Sequence, residues 1–134
     1  DGTKDGYLAS WVQQASFSPL IVSLSINPGR PGYEHITSGG LFTINIVGDK
    51  NSGYLKHFWK GYPKGEGPFG EISHKVTDSG GILMEEVKST LECKMTSKVK
   101  PGDHDIVFAE VLASYPMNED CKSKVHLRKN GLDY

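Results

Sequence analysis

At 134 residues the chain is sized for a single domain that buries roughly two-thirds of its unfolded surface, enough for a core without staples. Fifteen Lys and Arg stand against sixteen Asp and Glu, giving a net charge of −1 with both signs mixed along the chain. That balance excludes the electrostatic footprint of a nucleic-acid or anionic-membrane binder, and the lack of a bilayer-length apolar run or an N-terminal signal pattern predicts a soluble protein.

Sixteen glycines and seven prolines punctuate short runs of Val, Ile, Thr and aromatic residues, so the expected class is mostly β, with one or two short helices. A turn at Lys4-Asp5-Gly6 opens onto an extended segment from Tyr7 to Ala15. After Ser18-Pro19, the branched residues of Leu20 to Ile26 suit a central, largely buried strand. Residues Asn27 to Gly32, with two prolines and two glycines, must be a loop, because no continuous ladder survives that composition. Tyr33 to Ser38 is polar enough for a helical turn or two.

Leu41 to Val47 alternates as a strand, with Phe42, Ile44 and Ile46 on its apolar face. Asn51-Ser52 caps a helix from Gly53 to Lys60, in which Tyr54, Leu55, Phe58 and Trp59 recur at helical spacing. Gly61 to Gly70 reads as an irregular loop. Met84 to Val99 reads as one long strand, with Val87, Leu91, Cys93 and Met95 inward and Glu92, Lys94 and Thr96 outward. A turn at Pro101-Gly102-Asp103 returns the chain as an antiparallel partner from Asp105 to Tyr115, placing His104 at the start of that strand. Val125 to Arg128 adds a last short strand.

The two cysteines, Cys93 and Cys121, are too sparse and too far apart for a disulfide framework or a zinc motif, which favours a reducing compartment. Cys93 falls in the alternating pattern and Cys121 in a polar loop. The five histidines, at positions 35, 57, 74, 104 and 126, show no metal-ligand spacing, so no metal site is expected. Nor is there a phosphate-loop motif, a serine-nucleophile elbow or a dinucleotide fingerprint.

The segment from Lys4 to Leu24 sets a small, polar, backbone-exposing stretch directly before a hydrophobic strand, an arrangement that offers amide groups to a flat heteroaromatic ligand. Asp5-Gly6, Ala9-Ser10, Ser16, Pro19 and Val22-Ser23-Leu24 come first. Phe42 with Ile44 to Val47, His57-Phe58, Leu91-Glu92-Cys93 and Gly102-Asp103-His104 follow in order. In this order and spacing the chain resembles the flavin reductase-like family, the FMN-binding split β-barrels. The run Ala9 to Phe17, Lys56-His57-Phe58 and the ending Val125 to Tyr134 resemble, more narrowly, the C-terminal flavin reductase domain of the flavodiiron proteins of oxygenic phototrophs.

The resemblance implies that residues 1–134 form one flavin reductase-like domain, the C-terminal part of a larger flavodiiron protein. It also implies a barrel strand ahead of Asp5 that this chain does not include. The implied activity is an NAD(P)H:flavin oxidoreductase that binds FMN, with FAD as the alternative, and passes electrons toward a diiron core reducing dioxygen to water. Diiron and flavodoxin-like domains, a homodimeric or hetero-oligomeric assembly, and the cyanobacterial cytosol or chloroplast stroma are implied as partners and location.

An isoalloxazine ring needs fixed donors along one edge and apolar contact on a face. The candidate flavin-binding residues are Ala9, Ser10, Trp11, Val12, Ser16 and Phe17, whose backbone amides would meet the ring. Ser25, Asn27 and Arg30 would surround the phosphate, with Arg30 able to pair bidentately. His104, beside the ring in the family's Gly-Asp-His motif, is the candidate catalytic residue, for positioning or proton balance rather than nucleophilic attack. From the residues alone, Ser10 and Ser16 are equally ordinary strand hydroxyls, Trp11 is core or dimer packing, Arg30 is a solvated loop cation, and Asp103 stabilises its turn. The rival function is a degenerate barrel that serves as a non-catalytic docking or dimerisation module.

Overall fold

The computed structural model describes residues 3–60 and 67–125. Its elements in chain order are β1 (Val12–Ser16), β2 (Ile21–Ile26), α1 (Tyr33–Thr37), β3 (Leu41–Ile46), α2 (Gly53–Lys60), β4 (His74–Val76), β5 (Ile82–Met84), β6 (Ser89–Val99) and β7 (Asp105–Pro116). Five strands form an antiparallel sheet in the order β1-β2-β7-β6-β3, and β4 and β5 form a separate two-stranded sheet. The mostly β class with two short helices is therefore as expected.

The long β6–β7 hairpin is the spine, and β2 and β3 pair with its two sides. Along β2, Val22, Leu24 and Ile26 alternate inward, and their ladder partners in β7, Ala109, Val107 and Asp105, are buried as well. Leu24, Ile26, Ile36 and Val107 make one buried cluster, with Tyr7, Val12, Tyr33, Phe42 and Met95 packed around it. Val22, Cys93 and Ala109 make another, against Phe42, Ile44 and Leu91. Phe42 and Ile44 thus confirm the apolar face of β3.

The opposite face of β3 does what alternation alone does not show. Asn45 uses its whole amide there: Oδ1 accepts from Met84 N at 3.0 Å and Thr90 Oγ1 at 2.7 Å, and Nδ2 donates to the Ile82 carbonyl at 3.1 Å. Thr43 Oγ1 donates to the same carbonyl at 2.9 Å. These bonds fasten β5 across β3. Phe69, Ile72, Met84 and Val87 form a third buried cluster, with Tyr54 and Phe58 of α2 packed on it. Trp59, expected on the apolar face of α2, is 62% exposed instead.

Three other expectations change. The strand read as Met84 to Val99 is two strands, because Met84 pairs with His74 in β5 while residues 85–88 turn before β6 begins. Val87 lies in that turn and is buried by side-chain packing rather than by strand alternation. Glu92, expected outward, is 7% exposed: its Oε2 accepts from Ser79 Oγ at 2.7 Å and Thr77 Oγ1 at 3.1 Å, so the 77–81 turn covers it. Gly81 permits this approach, since a Cβ there would lie 2.9 Å from Glu92 Oε2. Cys121, expected in a polar loop, is buried against Gly48, with its thiol donating to the Asn118 carbonyl at 3.1 Å. Both cysteines are free.

Of the expected last strand, Val125 is exposed and His126 to Arg128 lie outside the described residues. Residues 61–66 of the expected loop and 126–134 of the family-like ending also lie outside them. Just before that ending the chain returns to β3, with a bridge from Gly48 to Ser123 and a bond from Lys124 N to the Val47 carbonyl at 2.7 Å.

Candidate functional site

Strand alternation gives the β1–β2–β7 layer two faces with different chemistry. Inward, Val12, Leu24 and Val107 occupy one register row and contribute to the core. Outward, Gln13, Ser23 and Phe108 occupy the next, followed by Ser25 opposite Ile106. On this face Ser23 is buried, 8% exposed, and Ser25 is half-buried. β1 is the sheet's edge strand, so half of its backbone groups point away from β2.

Trp11 and His104 meet at the Ser25 end of this face, their ring centres 5.1 Å apart in a tilted arrangement. Trp11 is 41% exposed. Ser25 N donates to the Trp11 carbonyl at 3.0 Å, which carries the contact into β2. His104 Nδ1 lies 3.1 Å from Asp103 Oδ1. A carboxylate only accepts, so this nitrogen bears the proton and Nε2 is the ring's second polar atom. The same bond, donated by His104, holds the exposed Asp103 carboxyl below its ordinary value.

Asn27 Nδ2 donates to the Asp103 carbonyl at 3.3 Å, and Asn27 Oδ1 accepts from Gly29 N at 2.9 Å. Two successive turns follow, Arg30 N to the Asn27 carbonyl at 2.9 Å and Tyr33 N to the Arg30 carbonyl at 3.2 Å. Arg30 sits on their apex, exposed and without an acidic partner among the described residues. Its positive charge opposes the effect of burial on Tyr7, whose hydroxyl is nonetheless pushed up to about 12.

The ten predicted residues are not all in one place. Trp11, Ser25, Asn27 and His104 are linked at one end of the layer. Ser16 and the 89%-exposed Phe17 lie at the other end of β1, roughly 15 Å along the strand. Ala9, Ser10, Val12 and Arg30 line a large open cavity of about 1770 Å³ on the inward side, together with Tyr7, Tyr33 and Phe42. Arg30 is thus an exposed cation on the lining of that cavity. Gln13, Ser23 and Phe108, which share a register row, were not among the predicted site residues.

Comparison with known proteins assigns this arrangement to a family. The flavin reductase like domain model matches residues 1–129. The chain belongs to that family. It is 31% identical over 132 residues to diflavin flavoprotein A 1 of Synechocystis, an alignment covering 98% of this chain but 23% of the relative. The chain thus spans under a quarter of that protein's length. Among solved structures, the fold matches the NADH:FAD oxidoreductase SgcE6 of Streptomyces globisporus, solved with NAD and FAD fragments. The TM-score is 0.78, with 19% identity, covering 89% of this chain and 70% of that one. It also matches an FMN-binding protein from Thermus thermophilus with bound 1-cyclohex-2-enone, with TM-score 0.72 and 21% identity over 86% of this chain and 64% of that one. These likenesses establish the flavin reductase fold; family membership itself rests on the domain match.

The residues of the candidate site can be tested for fit by their own chemistry. A flavin mononucleotide asks for a flat face, a hydrogen-bonding edge and a cation for its phosphate. The Trp11–His104 contact, the edge of β1 and Arg30, which has no acidic partner among the described residues, offer one of each, so the residues present fit the group. Among the described residues no cluster of His, Cys, Asp and Glu could hold a metal ion. No helix among them is long and apolar enough to cross a membrane.

Proposed function

We propose that this domain binds FMN beside the Trp11–His104 contact at the edge of β1 and works as an NAD(P)H:flavin oxidoreductase. The observation that carries this reading is the meeting of Trp11 and His104 across 93 positions of sequence, their ring centres 5.1 Å apart beside Ser25. Bound flavin supplies the capacity to accept a hydride and release its electrons onward. The edge of β1 aligns the ring, and Arg30 holds the phosphate. His104, with Nδ1 committed to Asp103, presents its second nitrogen as a fixed polar contact. Its role is orientation, because hydride transfer depends on alignment more than on an acid or base.

The relation to diflavin flavoproteins supports a place at the C-terminal end of a larger electron-transfer protein, passing electrons toward a diiron core that reduces dioxygen. FAD as the flavin, and the choice between NADH and NADPH, belong to the same reading. A visible spectrum of purified protein titrated with FMN, followed by anaerobic NADH or NADPH, tests it. Expected are a perturbed flavin band and then bleaching. No binding at micromolar protein overturns the reading and leaves a docking module. Replacing His104 by Ala should slow bleaching about tenfold or more while FMN still binds, whereas unchanged bleaching per bound flavin removes His104 from the mechanism.

A further inference from the structure

Asp105 follows His104 directly and begins β7, where it pairs with Ile26, the last residue before the Arg30 loop. Its side chain is 2% exposed. One carboxylate oxygen, Oδ2, accepts from the Tyr33 hydroxyl at 2.6 Å and lies 3.3 Å from Lys98 Nζ. Lys98 also donates to the Tyr33 hydroxyl at 3.2 Å and sits 5.3 Å above its ring centre. The other oxygen, Oδ1, is buried and has no hydrogen-bond partner. Leaving an acceptor in that condition costs stability, and a buried ion pair returns little net gain, so stability alone does not explain this carboxylate.

Its placement does. The loop from Asn27 to Tyr33 is tied at both ends to the segment Asp103 to Asp105, Asn27 to the Asp103 carbonyl and Tyr33 to the Asp105 carboxylate. Arg30 lies at the middle of the tied loop and His104 at the middle of the tied segment. We infer that Asn27 and Tyr33 are positioning residues that hold Arg30 in register with His104, Tyr33 acting through Asp105 and Lys98. This rests on the flavin reading above. Asn27 thereby changes from an expected phosphate ligand to a clamp, because its carbonyl oxygen and one amide hydrogen are spent on Gly29 and Asp103.

The test compares FMN with riboflavin, which shares the ring and lacks the phosphate. Tyr33→Phe should weaken FMN binding about tenfold and riboflavin binding less than twofold, because the clamp serves the phosphate grip. A purely structural Tyr33 would weaken both equally, and an unchanged FMN-to-riboflavin ratio overturns the inference. Lys98→Met, made from the solvent side, should shift the ratio in the same direction and serves if Tyr33→Phe does not fold. Hydrogen exchange of the amides of Gly29, Arg30 and Gly32 gives a flavin-independent arm. Exchange at least several-fold faster in the variant, with β4 and β5 unchanged, supports the clamp, and unchanged exchange overturns it. If wild-type protein binds neither flavin, the proposed function fails, while the exchange result still decides the clamp.

Discussion

Two buried carboxylates on adjacent strands of one hairpin, Asp105 on β7 and Glu92 on β6, each fasten an excursion of the chain to the sheet, and they do so with different partners. Asp105 faces a phenol and an ammonium and keeps one oxygen without a partner. Glu92 faces two neutral hydroxyls, Thr77 and Ser79, in a region that Asn45 stitches further with its complete amide. The Glu92 side is bound by several hydrogen bonds from uncharged donors beside an apolar cluster, which is how a fold secures an appendage. The Asp105 side concentrates charge at one point beside Arg30 and His104, which is how a fold fixes a geometry at some cost in stability.

The largest effect is expected on the neutral side. Asn45→Ala strands Met84 N and the wholly buried Thr90 hydroxyl, so denaturant titration should show a loss of about 3 kcal/mol; a loss below about 1 kcal/mol would mean β5 is held by packing alone. Glu92→Ala should cost less, about 1–2 kcal/mol, because the hydroxyls it leaves can turn to water. Tyr33→Phe should cost about 1–2 kcal/mol in stability and show its main effect in ligand selectivity, which separates the two anchors by kind as well as size.

A smaller contrast lies in acid. The Tyr33 hydroxyl, with help from Lys98 and against desolvation, holds the Asp105 carboxyl below its ordinary value, and Ser73 does the same for exposed Glu85. A group whose folded value is depressed contributes stability above its unfolded value, near ~4, and that contribution is lost as pH falls through the folded value. Unfolding midpoints measured between pH 6 and 3 should therefore drop below about pH 4, and Tyr33→Phe should flatten the drop. An identical profile in the variant would detach Asp105 from the effect. The smallest change is expected at the tip of the β1–β2 turn, where Phe17→Ser should stay within about 0.5 kcal/mol in stability.

Alternation and turn residues made β2, β3 and the antiparallel pairing of β6 with β7 legible in the sequence, but not the strand order of the sheet. The branched run of β2, the Phe42–Ile44 face of β3 and the turn at Pro101-Gly102-Asp103 all carry their period openly. What periodicity could not show is polar anchoring across strands: a buried Glu92 looks like any outward glutamate until the 77–81 turn folds over it. Val87 likewise owes its burial to neighbours from distant segments. For the site, ordered family landmarks singled out the Ala9 to Phe17 run and His104 separately, and the ring contact between Trp11 and His104 was not among the expectations. The roles of Tyr33 and Asp105 carried no motif, because a clamp needs proximity in space, and nothing in the local chain encodes that.

The β6–β7 hairpin also bears on how the chain folds. Its strands pair from Ser89 opposite Pro116 to Val99 opposite Ile106, closed by a short turn, whereas β3 reaches β6 only across a long intervening stretch and β2 reaches β7 across most of the chain. Loop-closure entropy opposes the short link least. The hairpin can therefore assemble first and act as a template onto which β2 and β3 zip from either side. Mutations along it, such as Val107→Ala, should slow refolding, while mutations in β4 and β5 should chiefly speed unfolding.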